Sequence, residues 1–407
     1  MRRVAITGIG AITPLGNSVE ALILGIERGE CATEYMFEWE GYKGLRCLVG
    51  APVRMQDEKL IPRQNRRSMG RLSIFAVQAA QQALRDARIS PEEFSNNSLG
   101  CVIGSTMGSA ESIAEAFETI LPDNDLAKLT STKFFQCVSH TAALNVSQYL
   151  GITGTVMSTN AACASALQAI GAGYNLIRLG EQDIMLCGGA EGLHPTVVGS
   201  FDVLFAASSS YNQTPKKTPR PFDVKRDGLV CGEGSGIVVL EDYERALKRK
   251  AKIYAEIVGY SSHGNGSHVS ESNREAIVLC VEEALQRAGV SPQDVDYINA
   301  HATATIQGDK EEAAAIRQIF GDTVPVSSLK GNIGHTLGAS GAIELIVSLI
   351  MMQKGVIYPT LNLEDPDKDC QGIRHIMKPF NKEINILLKN CFAFGGINAA
   401  LVCKRSV

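Results

Sequence analysis

The sequence predicts an α/β protein made of two related halves, and three observations carry that prediction. First, short apolar strand-like runs alternate with helical runs along the chain, the pattern of mostly parallel sheet with helices packed on it. Second, a helix closing on Ala83-Leu84-x-x-Ala87 and another closing on Ala284-Leu285-x-x-Ala288 are each followed by Ser-Pro and a short strand. Ala83 and Ala284, Ser90 and Ser291, and Pro91 and Pro292 are all 201 positions apart. Third, Cys163–Gly180 and Gly338–Gly355 share length and texture, being helices rich in small residues that end on Gly. Ser165 and Ser340, like Gly180 and Gly355, are 175 apart. Two correspondences in the same order divide the chain into an N-terminal half, 1–245, and a C-terminal half, 246–407.

Taken in order, Val4–Thr7 starts the first strand. Gly8, Gly10 and Pro14 then suit a turn, so the apolar opening after Arg2 and Arg3 is not a signal peptide. Ser18–Arg28 is the first helix, and 30–65 is expected to be irregular and on the surface. Ser73–Ala87 is amphipathic helix, and Gly100–Gly104 is a buried strand. Met157–Gly180 is the stretch that organises the rest: the end of a strand, a turn of small residues holding Cys163, then an apolar helix that must be buried. The N-terminus of that helix directs a positive dipole end at the sulfur, which should favour the nucleophilic thiolate. The second half follows with strand Tyr297–Asn299, the Gly338–Gly355 helix, a Leu387–Cys391 strand and a closing strand Ala399–Val402.

Composition narrows the function. With 45% hydrophobic and 20% charged residues, the 407-residue chain is globular, and a net charge of -4 gives no case for nucleic acid as partner. No uninterrupted apolar run is long enough to span a membrane, because Glu344 and Lys354 bracket the best one, so no membrane partner is expected. Eleven cysteines without CxxC or HxxxH clusters argue against a disulfide framework or a metal site, and point to a reducing cytoplasm. Cys101, Cys187 and Cys280 lie in apolar runs and read as inert core.

Duplication puts equivalent turns on one side of a shared core and so gathers four distant stretches. These are Cys163, His301 in NAHATAT, Lys330 and His335 in SSLKGNIGHTLGASG, and Phe394 in NCFAFGGIN. All lie at small-residue turns beside strands, where α/β folds build ligand sites.

On these motifs the chain resembles the β-ketoacyl-acyl-carrier-protein synthases (ketosynthases) of the thiolase-like superfamily, closest to the elongating type II bacterial enzymes. The resemblance runs nearly the full length: VAITGIGAITPLG, NAACASALQAIG, GGAEG, RPFDVKRDGLVCGEGSGIVVLE, NAHATAT, LKGNIGHTLGASGAIE and NCFAFGGIN. It implies a thiolase-like fold, a five-layered α-β-α-β-α sandwich, in a dimer. It implies no metal or redox cofactor, with substrates carried on the phosphopantetheine arm of an acyl carrier protein. Cys163 then matches the nucleophile, His301 and His335 the two histidines, and Lys330 the lysine beside the second. Thr303 and Thr305 match pantetheine-binding threonines, Phe394 the gate beside the nucleophile, and Glu344 a buried supporting acid. The expected activity is acyl transfer to Cys163 followed by decarboxylative condensation with a malonyl thioester. A thiolase or a non-catalytic chain-length subunit is disfavoured by the two histidines and by Cys163. Arg63, Arg66, Arg67 and Arg71 form a basic run suited to an acidic carrier protein.

Several positions depart from the family text. Ala302 and Ala393 stand where glycine is usual, Asn332 follows Lys330, and Asp202 follows Phe201 near the expected acyl pocket. With Met107, Phe134 and Phe135 as candidates for the pocket floor or dimer contact, these favour a specialised polyketide or polyene synthase, paired with itself or with a homologous chain-length-factor subunit. The alternative is a housekeeping fatty-acid elongating homodimer.

Overall fold

The computed structural model describes every residue except 91, 94–96, 267–271 and 407. Pro91 of the first repeat and His268 therefore lie outside the described residues. Eleven strands form one hydrogen-bonded sheet: β1 Val4–Ile12, β2 Leu99–Gly104, β3 Val156–Met157, β4 Ile184–Glu191, β5 Gly234–Asp242, β6 Ala255–Gly264, β7 Tyr297–Asn299, β8 Pro325–Ser327, β9 Arg374–His375, β10 Ile386–Ala393 and β11 Ile397–Lys404. Their spatial order is β9-β8-β7-β10-β11-β6-β1-β5-β4-β2-β3.

The duplication is visible in that order. From β1 outward, β5 and β4 are antiparallel neighbours and β2 and β3 are parallel ones; from β6 outward, β11 and β10 are antiparallel and β7 and β8 parallel. The halves join where Val4–Ile6 pairs antiparallel with Ala255–Ile257.

The principal helices are α1 Val19–Glu27, α2 Arg71–Ala87, α3 Thr141–Leu150, α4 Ser165–Leu179, α5 Arg274–Ala288, α6 Ile306–Phe320 and α7 Ser340–Lys354. Three apolar clusters separate the layers. One packs α2 and α3 on the outer face of β1, β2 and β4, and a second packs α5 and α6 outside β7, β10 and β11. The third lies between the two parts of the sheet and holds α4 and α7. Together these are the five layers. Because α7 is sealed between both halves, its apolar length is a core feature: Leu337–Lys354 has a membrane-like composition but is 83% buried in the protein.

Sequence and structure differ instructively in two places. The first strand continues to Ile12 through Gly8 and Gly10 instead of turning. Those glycines are close-approach sites, since a Cβ on Gly8 would lie 2.2 Å from the Ala83 carbonyl oxygen. A Cβ on Gly259 of β6 would likewise lie 2.3 Å from the repeat-equivalent Ala284 carbonyl oxygen. The stretch 30–65, expected on the surface, is only partly so: Trp39, Cys47 and Val49 are buried in a cluster that also contains Cys163. An irregular backbone thus closes one side of the site.

Candidate active site

Small residues set the position of Cys163. The turn before α4 puts Ala162 in the left-handed region at φ 46°, and Ser165 Oγ fixes it by donating to Ala162 O at 2.6 Å and accepting from Ala161 N at 2.9 Å. The left-handed residue, though not the serine hydrogen bonds, recurs 175 residues later, where Leu337 has φ 47° immediately before Gly338, the counterpart of Cys163. Holding non-glycine residues there costs energy and persists only where surrounding contacts enforce it. Gly189 and Gly341 let the two turns approach. A Cβ on Gly189 would lie 2.3 Å from Gly338 O, and one on Gly341 would lie 3.0 Å from Leu167 N. This close packing brings the His335 turn onto the sulfur.

His335 Nε2 lies 3.0 Å from Cys163 Sγ, and the His301 ring meets the His335 ring edge-on with centroids 5.2 Å apart. All three residues are buried. They face a cavity of about 60 Å³ that Thr303, Thr305, Phe392 and Phe394 also line. Thr303 and Thr305 hydroxyls are 3.1 Å apart, and Phe394 is half-buried with its ring 5.7 Å from that of Phe201. Phe201 therefore packs on Phe394 from outside this cavity. Met107 does not line it; 44% exposed, it sits after β2 with its N–H donating to Glu191 at 3.3 Å.

Lys330 and Glu344 lie behind the histidines. Lys330 Nζ donates to Glu344 Oε1 at 2.6 Å, and Lys389 Nζ donates to Glu344 Oε2 at 2.5 Å, all fully buried. Burial holds His301 and His335 well below the usual imidazole value, and the Lys330 and Lys389 charges push the same way. Both rings are therefore neutral in the resting protein. The three ligand atoms of Cys163, His301 and His335 fall within 4.8 Å of one another, near enough by distance for a metal. Two ammonium groups behind them make the place hostile to a divalent cation, and the set is a thiol–imidazole one.

The expectation of a resting thiolate is corrected here. Burial pushes the Cys163 thiol up to about 12, with Lys330 opposing. Desolvation of the anion outweighs the neighbouring cation. The sulfur waits as a thiol beside an imidazole nitrogen.

Several supporting groups escaped the sequence reading. Glu312 accepts His301 N at 2.9 Å and Ala302 N at 2.7 Å, while Asp309 accepts Ala304 N at 3.0 Å and Phe222 N at 2.7 Å. The signal was present: two acids three apart, just after HATAT, share a helix face. Glu191 joins the halves by accepting Thr106 N at 2.7 Å and Gly338 N at 3.0 Å. Lys389 gave no signal, since its strand reads as plain apolar core.

The departures read differently in three dimensions. Neither Ala302 nor Ala393 has a positive φ, whereas Ala304 does, at 70°. Asp202 is buried and its Oδ2 takes Arg46 N at 2.9 Å and Arg46 Nε at 3.3 Å, so its charge ties down the 45–48 segment. Asn332 turns its amide to Glu30 O at 3.0 Å. In the basic run, Arg71 is committed to Glu233 at 2.6 Å, leaving Arg63 and Arg67 exposed.

Known proteins match the chain over its full length. Residues 1–246 match the family model for the beta-ketoacyl synthase N-terminal domain, and 254–364 match that for the C-terminal domain. The chain is 35% identical over 407 residues to 3-oxoacyl-[acyl-carrier-protein] synthase 1 of Escherichia coli K12, covering 100% of this chain and 99% of that protein. A beta-ketoacyl synthase from Burkholderia phymatum superposes with TM-score 0.97 at 40% identity, covering 100% of both chains. The ishigamide ketosynthase/chain length factor superposes with TM-score 0.92 at 30% identity and full coverage of both chains. A type II polyketide-synthase acyl-carrier protein in complex with its hexaketide-bound ketosynthase gives the same figures, TM-score 0.92 and 30% identity over 100% of both chains.

Proposed function

The chain belongs to the β-ketoacyl synthase family and is a β-ketoacyl-acyl-carrier-protein synthase, a carbon–carbon bond-forming acyltransferase, and from that premise we propose how its own residues carry the reaction. Cys163 is the nucleophile. Its proton passes to His335 Nε2 as sulfur attacks the thioester carbon, and His335 returns that proton to the leaving carrier sulfur, so that the carrier departs as a thiol and the ring is neutral again. The 3.0 Å approach of Sγ to Nε2 is the observation that supports this most directly. Because burial disfavours the free thiolate, charge develops only at the moment of attack.

A malonyl thioester then enters through the pantetheine channel lined by Thr303 and Thr305. Loss of CO2 leaves an enolate whose oxygen accepts hydrogen bonds from His301 and His335, and the enolate carbon attacks the acyl-Cys163 carbonyl. The sulfur departs and is reprotonated, leaving a β-ketoacyl thioester two carbons longer. Neutral imidazoles suit the decarboxylation, because an imidazolium would hold the malonyl carboxylate as an ion pair. Phe394, backed by Phe201, gates the cavity. Lys330 and Glu344 fix the field around the histidines. We keep 1–245 and 246–407 as the two functional halves, one supplying sulfur and the other imidazoles.

The carrier protein is the partner, and Arg63 and Arg67 are its landing charges. A second copy of the chain completes the enzyme. The end strand β3 leaves Val156 and Met157 each 43% exposed, and Met107, Phe134 and Phe135 are further exposed apolar residues. An apolar sheet edge of this kind seeks a strand. Full-length similarity to a ketosynthase/chain length factor favours a second reading, a heterodimer in polyketide or polyene synthesis. Intact-mass measurement with a panel of acyl-carrier thioesters tests both. The wild type should gain the acyl mass on Cys163, and Cys163→Ala should gain none. Absence of any adduct overturns the assignment, and the acyl groups accepted separate ordinary saturated elongation from the specialised role.

A further inference from the structure

We propose that Lys389 is a positioning residue for condensation: by sharing Glu344 with Lys330, its ammonium keeps His301 and His335 as neutral imidazoles during turnover. This rests on the reading of those histidines given above.

The case starts from the duplication. Strands β4 and β10 each have eight residues, and pairing them end to end sets Lys389 opposite Cys187. Side chains on the inner face of both strands enter the central helical layer: Met185 and Cys187 from β4, Leu387 and Cys391 from β10. In the first half that inner position is filled by an ordinary buried thiol against Gly173 of α4. In the second half a fully buried ammonium fills it, bonded to Glu344 at 2.5 Å and to Asn390 O at 2.8 Å. Burying a second cation is unfavourable until its partners offset the lost hydration. The fold does not demand that cost, since the equivalent position manages without charge. Lys330 already satisfies one oxygen of Glu344, so the acid alone does not demand it either.

The charged and titratable groups around the imidazoles come from every packed element. Lys330 precedes the His335 turn, Glu344 sits on α7, Lys389 and Cys391 on β10, Glu312 on α6, Cys163 before α4, and Cys231 in a bridge to His335. Glu312 is occupied by the amides of His301 and Ala302. Two ammonium groups share one carboxylate, Glu344, at the back of the rings. Lys389 bears on both histidines, and burial, which would lower it, is more than offset by Cys391 and Glu344, so it stays charged.

The test is the pH profile of malonyl-carrier decarboxylation by the full-length enzyme and by Lys389→Met and Lys389→Gln. Removing the cation should let the imidazoles protonate at higher pH. The acid limb should therefore move up by about one unit, roughly tenfold less activity at a fixed pH on that limb, through kcat with KM unchanged. An unmoved profile in folded variants overturns the proposal even if their melting temperatures fall. Failure of both variants to fold also overturns it, assigning Lys389 to stability. If wild-type enzyme neither decarboxylates nor condenses, the underlying reading fails instead.

Discussion

Two turns, 175 residues apart, use the same backbone and do different chemistry. At one, Ala162 in the left-handed region precedes Cys163; at the other, Leu337 precedes Gly338, with His335 just upstream. Around the first turn the layer between the sheet parts is apolar, with Ala169 on α4 and Cys187 on β4. Around the second, the corresponding places are Glu344 on α7 and Lys389 on β10, joined by Lys330. Duplication supplied a pair of helix-leading turns packed face to face. Divergence gave one a buried thiol and gave the other a cluster of buried charges. Under the function proposed above, the difference means that the site divides its labour by half: acyl capture in the first, carbanion generation in the second.

The comparison breaks most decisively at the catalytic atoms. Cys163→Ala should abolish condensation, a loss of about 10⁴-fold or more, while malonyl-thioester decarboxylation stays within about tenfold of wild type. His335→Ala should lower decarboxylation by about 10²–10³-fold, the range for losing one donor to a developing oxyanion. Separate assays of CO2 release and product formation check both. Equal loss of the two activities in Cys163→Ala would show that the halves do not act separately.

Next comes the buried charge. Glu344→Gln leaves Lys330 and Lys389 without their carboxylate and should destabilise the protein by about 3–5 kcal/mol, read as a urea-midpoint shift. The counterpart Ala169→Gly in α4 should cost only about 1 kcal/mol. A loss at Glu344 no larger than at Ala169 would mean that the ion cluster is not integral to the second half.

A matched pair sharpens the duplication itself. Gly8→Ala and Gly259→Ala place a methyl 2.2 and 2.3 Å from the Ala83 and Ala284 carbonyl oxygens. Each should cost about 1–3 kcal/mol, the range for overpacking, and the two should agree within about 1 kcal/mol. Thermal unfolding of both variants measures this, and a tolerated alanine at either site would remove that contact from the shared architecture.

Much of this contrast was legible in the sequence, for identifiable reasons. The helix–Ser–Pro–strand and small-residue-helix repeats are local patterns, and local patterns encode elements. Cys163, His301 and His335 could be paired because equivalent turns of a duplicated α/β fold share a side. What stayed hidden depends on distant partners. Asp202 looked like a charge in an acyl pocket until its Oδ2 met the amide of Arg46. Arg71 looked like part of a docking patch until it met Glu233. Gly8 and Gly10 looked like a turn because the helix pressing on them lies some 75 residues away. Lys389 was silent because one lysine in an apolar strand carries no periodic signal.

Cys163 gives a smaller, graded test. A thiol pushed up to about 12 is almost wholly protonated near neutrality. Its alkylation by iodoacetamide should therefore rise about tenfold per pH unit between pH 7 and 9 with no plateau, since only the thiolate reacts. A plateau near pH 7 would place a preformed thiolate at Cys163 and make the first half as charged as the second.

The smallest effect lies at the surface, where the comparison extends to the partner. Arg63 and Arg67 sit in and just after the short Arg63–Arg66 helix of the first half, both exposed. No carboxylate pairs with either among the described residues, whereas Arg66 lies 4.0 Å from Glu58 and donates to Ile61 O at 3.0 Å. Exposed charges mainly steer encounter and do little for stability. Arg63→Glu with Arg67→Glu should raise KM for a carrier-bound thioester about three- to tenfold at low salt, leaving kcat and the KM for a small pantetheine thioester unchanged. The difference should shrink as salt approaches about 0.5 M, where screening falls well inside the spacing of the two proteins. An equal rise in KM for both substrates would locate the damage in the pantetheine channel, and carrier docking would then have to be sought on the second half.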